Sequence, residues 1–290
     1  LEEGAAVTTF DLSGDTRRLG QLLSDDQLAS VERIQGDITV LEDVTAAVAG
    51  KTHVIHLAAL QVPLVRANPV VGAAVNVTGT VNVFEAVKRE GVDHLVYASS
   101  IAVYGHPSKY SDPILGADAR RMPETLYGVF KVANEDTAKV YWAESDVASI
   151  GLRPHTIYGP GRDQGLTSAP TLALEAAVRG EPHHIPYGGA AGFNYVRDVA
   201  ELFIAASRAD PEGAECYSLR GDVVPVSEFV EISHAVTGTD GITFGDKPLP
   251  FPDSFDDTTL RERLGSVPHT PLREAIEETV AFFGAGGSLS

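Results

Sequence analysis

The sequence predicts an α/β fold, a doubly wound parallel sheet followed by a smaller and mostly helical C-terminal lobe. Short apolar runs alternate with helical patterns of 3.6-residue period over the first half of the chain, which is typical of β-α units. The apolar runs at residues 53–59 and 95–100 end on small or hydroxyl side chains. From about Arg162 strands become sparse, and we therefore predict a boundary between residues 1–161 and residues 162–290.

The elements are predicted in the following order. Strands are expected at residues 5–10, 31–35, 53–59, 95–99 and from 150 onward, with helices at residues 41–49, 69–90 and 125–142. Helices are expected in the second part at residues 170–179, 195–207, 226–237 and 271–283. Residues 1–4 are interpreted as the last turn of a helix that ends at Gly4.

Composition limits the possible partners. The 290 residues contain 22 Lys and Arg against 40 Asp and Glu, a net charge of −18, so nucleic acid and anionic membrane surfaces are unfavourable partners. A hydrophobic content of 43% and a charged content of 21% are typical of soluble globular proteins. No apolar run approaches about 20 residues, and no membrane span is predicted.

Cysteine and histidine content gives two further expectations. Cys216 is the single cysteine, so no internal disulfide can form and a reducing cytoplasm is the simplest location. We interpret Cys216 as a small buried residue rather than a nucleophile. His183 and His184 are adjacent and point in different directions on a strand, without a supporting Cys or carboxylate cluster, so we predict no metal site.

The helix at residues 125–142 carries a candidate proton shuttle. Tyr127 and Lys131 share one face, because positions i and i+4 of a helix are neighbours. An ammonium beside a phenol favours the phenolate, so we predict that Lys131 lowers the pKa of Tyr127. Tyr-x-x-x-Lys also occurs by chance in helices. The flanking strands favour function, because Ser100 and the stretch 154–161 follow strand ends, where ligands bind in open parallel sheets.

Three motifs in this order resemble a known family. They are Ser-Ser-x-x-Val-Tyr-Gly at residues 99–105, Tyr-x-x-x-Lys at 127–131 and Arg-Pro-x-x-x-Tyr-Gly-Pro-Gly at 153–161. The order resembles the extended short-chain dehydrogenase/reductases, also called the NAD-dependent epimerase/dehydratase family, over about residues 1–283. The resemblance implies a Rossmann-like fold and an NAD-dependent enzyme that transfers hydride at a secondary alcohol or ketone of a sugar-like or polyhydroxylated substrate.

The resemblance also implies roles for individual residues. Ser100 would hold the substrate oxygen, Tyr127 would take or give the hydroxyl proton, and Lys131 would hydrogen-bond the nicotinamide ribose. The cofactor-binding residues expected from the resemblance are Asp11, Asp37, Ile38, Leu57, Ala58, Ala59, Asn76, Ala98, Ser99, Tyr127, Lys131, Pro154 and Ile157.

Three of these assignments have alternatives. A carboxylate at Asp11 accepts hydrogen bonds from a ribose diol and repels a 2′-phosphate, which favours NAD over NADP, although Arg17 and Arg18 follow closely. Asp11 and Asp37 could instead serve as turn or cap residues. Asn76 would hold active-site backbone in the family, and the alternative is a solvent-facing helix residue.

One family feature is not found in the sequence. The family carries a first strand and a Gly-x-x-Gly-x-x-Gly turn ahead of the strand at residues 5–10, and that turn holds the cofactor pyrophosphate. The glycine-rich stretches 159–161 and 188–192 do not lie between an early strand and its helix, and we interpret both as chain turns. We therefore expect a truncated copy of a longer protein, lacking the first β-α unit and binding dinucleotide weakly or not at all.

Several reactions remain open. Nucleotide-sugar epimerases usually carry a diphosphate-binding Arg in the segment that corresponds to residues 188–194, which here contains none. The arginines that could compensate are Arg162, Arg197, Arg261 and Arg263. Ile101 and Ala102 follow Ser100 where dehydratases generally have Asp-Glu. We expect a dehydrogenase, with a nucleotide-sugar 4-epimerase as first alternative and a non-catalytic dinucleotide-binding protein as second.

Two expectations concern surfaces. The loop at residues 106–124 is predicted to line the mouth of the substrate pocket. The helices at residues 69–90 and 125–142 resemble those through which family members dimerise, so a homodimer is expected.

Overall fold

A computed structural model describes Leu1 and residues 4–289 of the chain. The helix end predicted at residues 1–4 includes Glu2 and Glu3, which lie outside the described residues. Within the described part, strands and helices alternate from Thr8 to Gly284.

The strands are short and most belong to parallel pairs. They are β1 Thr8–Asp11, β2 Glu32–Gln35, β3 His53–His56, β4 His94–Ala98, β5 Ser149–Arg153, β6 Thr156–Tyr158, β7 His183–Ile185, β8 Ala190–Tyr195, β9 Ala214–Ser218, β10 Asp222–Pro225 and β11 Ile242–Phe244.

The helices connect these strands. They are α1 Arg17–Gly20, α2 Asp25–Ser30, α3 Leu41–Val48, α4 Val62–Ala67, α5 Pro69–Ala73, α6 Gly79–Glu90, α7 Leu126–Ser145, α8 Ala169–Val178, α9 Val196–Ser207, α10 Val226–Thr237, α11 Thr258–Leu264 and α12 Leu272–Gly284. A π turn at Ala74–Thr78 joins α5 to α6, and short 3₁₀ turns occupy Ile101–Val103 and Pro107–Lys109.

A parallel four-stranded sheet in the order β3-β4-β5-β9 forms the centre of the fold. A separate parallel pair, β1-β2, precedes it, and no strand of the described chain pairs with both β1 and β3. The carboxyl ends of β3, β4 and β5 lie side by side, because His56, Tyr97 and Gly151 are partners in register. The predicted α/β class with parallel strands is confirmed.

Helices cover both faces of the four-stranded sheet, as in a doubly wound fold. On one face, side chains of α3 and α6 such as Val44 and Phe84 pack with Tyr97 of β4. On the other face, Phe203 of α9 and Leu260 of α11 join a core with strand residues of β4 and β5. Burial on both faces explains why the strand sequences are continuous apolar runs rather than alternating ones.

The chain crosses between its two parts twice. β9, from residues 162–290, pairs with β5, and β6, from residues 1–161, pairs with β8 of a mixed sheet in the order β10-β8-β6. A large aromatic core of this second part includes Tyr158, Phe193 and Phe229. The boundary at 161/162 stays a prediction, and these strand exchanges tie the segments on either side of it together.

The stretch Pro69–Glu90 is the one described helical segment long and apolar enough to cross a membrane by length and composition. Half of its apolar window is buried inside the protein, where Phe84 and Val87 pack in the core. Core helices of globular proteins meet the same test, so the length of this segment is weak evidence for a membrane span.

Candidate active site

The first turn of α7 sets the position of Tyr127. The Thr125 hydroxyl accepts a hydrogen bond from the backbone N–H of Gly128 at 3.0 Å, which caps the helix. Gly128 lies against the loop after β4, where a Cβ atom would clash with the carbonyl oxygen of Ala102 and lie 2.9 Å from Cβ of Pro123. The absence of a side chain at Gly128 therefore lets α7 approach the loop that carries Ser100.

The structure brings together the three side chains predicted to be catalytic. The hydroxyl of Ser100 is near enough to the phenol of Tyr127 to lower its pKa. The ammonium of Lys131 lies 5.6 Å from the centre of the Tyr127 ring and donates a 2.6 Å hydrogen bond to the carbonyl oxygen of Ala98. All three groups lie beyond the carboxyl end of β4, where ligands bind in sheets of this type.

The predicted acidification of Tyr127 by Lys131 is not found in this structure. Burial raises the pKa of Tyr127 above its usual range, because it disfavours the charged phenolate. The groups that oppose this rise in pKa are the Ser100 hydroxyl and the guanidinium of Arg162. The ammonium of Lys131 donates a hydrogen bond to the Ala98 carbonyl rather than to the phenol. Arg162 is therefore the cation that favours the phenolate.

The pKa of Lys131 is itself strongly shifted. Its side chain is 3% exposed, and burial lowers the pKa of Lys131 to about 8, with the Glu135 carboxylate acting in the opposite direction. Glu135 lies four residues further along α7 and therefore on the same face. Lys131 can therefore change its charge state near pH 8, where ordinary lysines stay protonated.

Glu135 is the centre of a buried polar network that the sequence analysis missed. Its carboxylate accepts hydrogen bonds from Ser99 Oγ at 2.5 Å, from Arg153 at 2.7 and 2.8 Å and from Cys216 Sγ at 3.3 Å. The network joins α7 to β5 and β9 and to the end of β4. The sequence did contain a signal for this network, because the Glu135 carboxylate lies at i+4 from Lys131 on the apolar side of the helix.

Cys216 takes part in this network as a donor. Burial and the nearby Glu135 carboxylate raise the pKa of the Cys216 thiol far above its usual range. A thiol held protonated is a poor nucleophile. This agrees with the interpretation of Cys216 as a structural residue.

Asn76 lies in the π turn and is 1% exposed. Its Oδ1 accepts a 2.7 Å hydrogen bond from the Leu60 N–H, and its Nδ2 donates a 2.8 Å hydrogen bond to the Leu60 carbonyl. The solvent-facing alternative for Asn76 is therefore wrong. Asn76 fixes the backbone just after Leu57, Ala58 and Ala59, the residues that follow β3.

The acidic residues predicted to bind the adenosine end lie at strand ends. Asp11 ends β1, is exposed and accepts a 2.8 Å hydrogen bond from the Ser13 N–H. Asp37 follows β2, and its carboxylate accepts from the backbone and hydroxyl of Thr39, which lower its pKa. The carboxylate of Asp37 is thus used in the turn ahead of α3, whereas that of Asp11 has free acceptor capacity at the surface.

Leucines are exposed where two of the parallel strands end, and one of them, Leu57, was predicted to contact the cofactor. Leu57 is 59% exposed directly after β3, and Leu12 is 70% exposed directly after β1. Ile38 packs against Gly79 of α6, and its carbonyl accepts a hydrogen bond from Asn82. Exposed leucines at the carboxyl ends of parallel strands suit a flat dinucleotide, so the residues present fit the cofactor that the motifs imply.

The remaining residues predicted to bind the cofactor lie at the ends of β4 and β5 and in β6. Ala98 receives Lys131, and Ser99 is buried between Glu135 and the Leu152 carbonyl. Pro154 is buried and its carbonyl accepts from the Ile101 N–H, while Ile157 is half-buried in the middle of β6. Ala98, Ser99 and Pro154 therefore frame the loop that carries Ser100.

Arginine pairing distinguishes the four cations considered for substrate binding. Arg197 pairs with Glu278 and Glu201, Arg261 with Asp257, and Arg263 with Glu215. The positive charge of Arg162 acts on the phenol of Tyr127, and Nε of Arg162 is buried without a hydrogen-bond partner. Of these four arginines, Arg162 is the one that acts on the pKa of Tyr127.

The structure places His56, His183 and His184. His56 is 7% exposed and contacts Thr80 at 3.0 Å, and burial lowers the pKa of His56 to about 3, so it stays neutral. His183 and His184 lie on β7 with different exposure. Among the residues that the structure describes, no group of three His, Cys, Asp or Glu side chains could hold a metal ion.

The fold and this site define the class of protein. A model of the NAD dependent epimerase/dehydratase family matches residues 1–218, and the chain belongs to that family. It is thus a member of a family of NAD-dependent enzymes, and NAD is its cofactor.

Individual relatives differ in their reactions. The UDP-glucose 4-epimerase of Mycolicibacterium smegmatis is 31% identical over 98% of this chain and 92% of its own length. The human 3 beta-hydroxysteroid dehydrogenase type 7 is 31% identical over 76% of this chain and 62% of its own length. The solved structure of MoeE5 in complex with UDP-glucose and NAD has a TM-score of 0.81 at 26% identity, covering 99% of this chain and 93% of that chain.

When NAD is bound it supplies the acceptor or donor of hydride. The residues expected from the sequence to hold it are Asp11 and Ile38 toward the adenosine, Leu57 to Ala59 after β3, and Tyr127 and Lys131 toward the reactive end. Lys131 can offer ammonium hydrogens beyond the one it gives to Ala98, because an ammonium has three.

Proposed function

We propose that the protein carries out reversible hydride transfer between NAD and a secondary alcohol of a sugar-like or polyhydroxylated substrate. The observation that carries this proposal is the buried ammonium of Lys131, which lies 5.6 Å from the centre of the Tyr127 ring, with the Ser100 hydroxyl near enough to the phenol to lower its pKa. A hydroxyl and a phenol grouped in this way can hold a substrate oxygen between them.

Each side chain has one task in this reaction. Ser100 donates a hydrogen bond to the substrate oxygen and orients it. Tyr127 removes the hydroxyl proton while the hydride leaves the same carbon, and returns a proton in the reverse direction. Arg162 supplies the positive potential that favours the phenolate during the transfer, and Lys131 hydrogen-bonds the nicotinamide ribose.

The net reaction that we favour is 4-epimerisation of a nucleotide sugar. The support is the relative of nearly equal length that is named as a UDP-glucose 4-epimerase. Net dehydrogenation is the second candidate, supported by the segment at residues 188–194, which contains no arginine for a diphosphate, and by the relative named as a hydroxysteroid dehydrogenase.

Nicotinamide absorbance separates the two. The protein is incubated with NAD and UDP-glucose, UDP-galactose or other polyhydroxylated alcohols, and absorbance of reduced nicotinamide and product isomers are followed. An isomer without net NADH supports the epimerase, whereas stoichiometric NADH supports the dehydrogenase. If no substrate gives either product, the hypothesis of a non-catalytic dinucleotide-binding protein is the one that remains.

A matched pair of variants tests the catalytic assignment. Tyr127→Phe should lower kcat by about 100- to 10,000-fold, the contribution typical of a general acid or base. Tyr141→Phe is the control, because Tyr141 lies on the same helix and hydrogen-bonds Glu85 away from the site. Equal turnover of both variants would refute the proposal.

We also infer a cytoplasmic homodimer formed through the helices at residues 69–90 and α7. Val70, Val71, Val129 and Val140 on these helices are large apolar side chains exposed to solvent in the single chain. Contiguous exposed apolar side chains mark interaction surfaces. Light scattering after gel filtration should give twice the chain mass, and a monomer at all concentrations would refute this inference.

A further inference from the structure

The guanidinium of Arg121 spans two successive carboxylates of α7. Nη1 of Arg121 donates to Oε2 of Glu135 at 3.1 Å, and Nη2 donates to Oδ1 of Asp136 at 2.5 Å. The side chain of Arg121 is 21% exposed, whereas that of Glu135 is 1% exposed. Arg121 belongs to the loop at residues 106–124, which connects the turn after β4 to α7. One side chain therefore fastens the far end of that loop to the helix that carries Tyr127.

The residue after Arg121 is bonded to the 3₁₀ turn that follows Ser100. The Met122 N–H donates a 3.0 Å hydrogen bond to the carbonyl oxygen of Val103, the last residue of that turn. At the start of the same turn, the hydroxyl of Ser100 accepts a 3.2 Å hydrogen bond from the Ala102 N–H. The end of the loop is thus bound to α7 on one side and to the turn that begins at Ser100 on the other.

The residue before Arg121 makes a second link to the segment after this turn. The Tyr110 hydroxyl donates a 3.1 Å hydrogen bond to the Arg120 carbonyl and accepts a 3.0 Å hydrogen bond from the Gly105 N–H. A Cβ atom on Gly105 would lie 2.5 Å from the carbonyl oxygen of Met122, so the two stretches of backbone are in close contact. A displacement of this part of the loop would therefore shift the 3₁₀ turn relative to α7.

The charge of Arg121 is not needed to neutralise Glu135. Arg153 already donates two hydrogen bonds to the Glu135 carboxylate, at 2.7 and 2.8 Å, and its side chain is 5% exposed. The other partner of Arg121, Asp136, is 52% exposed, and exposed ion pairs contribute little to stability. Loss of the Arg121 guanidinium should therefore leave the protein folded, and its effect should fall on the geometry of the site.

We propose that Arg121 is a positioning residue that sets the distance between the Ser100 hydroxyl and the Tyr127 phenol. This inference rests on the proposed hydride transfer, in which both of these groups bind the substrate oxygen. Arg121 holds the loop against α7, and the loop holds the turn that begins at Ser100 through the Met122 N–H. A displacement of about 1 Å between reacting groups can lower turnover by about 100-fold, so a loss of this contact should change kcat.

Steady-state kinetics of the full chain, with NAD and a substrate that the wild type turns over, tests this role. Arg121→Gln should lower kcat by about 10- to 100-fold and leave the Kd for NAD unchanged. Arg121→Lys keeps a positive charge but cannot bridge both carboxylates, and it should recover part of the loss. Lys139→Gln is the control, because Lys139 lies 3.9 Å from the same Asp136 oxygen but belongs to α7 itself. Its kcat should equal that of the wild type.

A double variant shows whether Arg121 acts through Ser100. In the Ser100→Ala background, Arg121→Gln should cause little further loss of kcat, because the effects of residues that act as one unit are not additive. Losses that multiply in full in the double variant, or a wild-type kcat in Arg121→Gln, would overturn the positioning role.

Amide hydrogen exchange provides a measurement that does not depend on turnover. Arg121→Gln should increase the exchange rate of the Met122 amide, which is bonded to Val103, by about 10-fold over the wild type and Lys139→Gln. If the wild type turns over no substrate but this exchange rate depends on Arg121, the link between the loop and the turn stands and the proposed reaction falls. Equal exchange rates in all three proteins overturn the inference whatever the activity.

Discussion

Arg153 and Glu135 form a bidentate ion pair inside the protein. Nε of Arg153 donates to Oε1 of Glu135 at 2.7 Å and Nη2 of Arg153 donates to Oε2 of Glu135 at 2.8 Å, with the two side chains 5% and 1% exposed. Arg153 ends β5, and Glu135 lies one turn after Lys131 on α7. The pair therefore holds the helix that carries Tyr127 and Lys131 against the central sheet.

Removing one partner of this pair should destabilise the protein strongly. Glu135→Gln leaves the Arg153 charge buried without a counter-charge, and we expect a loss of about 3–5 kcal/mol in the free energy of unfolding. The double variant Glu135→Leu with Arg153→Met should recover much of it, since neither charge remains. Urea unfolding measures both. Glu277→Gln, which breaks an exposed pair with Arg273, should cost under about 0.5 kcal/mol. Equal losses at Glu135 and Glu277 would contradict the buried-pair account.

Stability should rise with pH through the titration of Lys131. Its pKa is lowered to about 8 in the folded chain and returns to about 10.4 on unfolding, so between these values the unfolded chain binds more protons. The free energy of unfolding of the wild type should gain up to about 3 kcal/mol from pH 8 to pH 10.4 relative to Lys131→Met. Urea unfolding without added NAD at several pH values measures this difference. Lys139→Met, at an exposed position, should parallel the wild type, and a parallel Lys131→Met curve would show that Lys131 titrates normally.

Asn76→Ala should weaken both stability and NAD binding. It leaves the N–H and carbonyl of Leu60 unpaired, which costs about 1–3 kcal/mol for each group that water does not reach. The backbone from Leu57 to Leu60 then loses its fixed position beside the cofactor groove, and the Kd for NAD should increase. Asn68→Ala, which removes only the cap on Val71, should cost about 1 kcal/mol without changing that Kd. If both variants bind NAD as tightly as the wild type does, Asn76 does not position the backbone for NAD binding.

Asp11→Asn should shift the cofactor preference toward NADP. The carboxylate repels a 2′-phosphate and accepts hydrogen bonds from a ribose diol, so its neutralisation should change the ratio of NAD to NADP affinity by about 10-fold. Fluorescence titration of both nucleotides measures the ratio. Asp25→Asn, an exposed change of equal charge in α2, should leave the ratio unchanged. The same ratio in both variants would remove Asp11 from the adenosine site.

The parallel strands and the long helices could be predicted from the sequence because their patterns are local. Helix α10 was predicted at its observed bounds, and α7 runs three residues beyond the predicted end at residue 142. The strand predicted from residue 150 onward is divided into β5 and β6, because Pro154 lacks a backbone N–H and interrupts the ladder. The strands of the second part, such as β8 and β10, are short pieces whose pairing depends on distant residues, which no local pattern reports.

The grouping of Ser100, Tyr127 and Lys131 could be predicted because the spacing and order of these residues are fixed by motifs, whereas the charges around them could not. The sequence placed Lys131 beside Tyr127 but did not reveal that Ala98 takes its ammonium. Glu135 and Arg153 are 18 residues apart in the chain, and their contact exists only after α7 packs on β5. Electrostatics of this kind depends on tertiary contacts and burial.

The close contact between Gly128 and the Ala102 carbonyl has a consequence for engineering the protein. Adding even one methyl group there would push the start of α7 away from the Ala102 carbonyl, and Tyr127 would move with it. Gly128→Ala should therefore fold, since Ala favours helices, and yet lose turnover through a misplaced phenol. Libraries meant to change substrate choice should leave position 128 untouched and vary the loop around Arg162 instead.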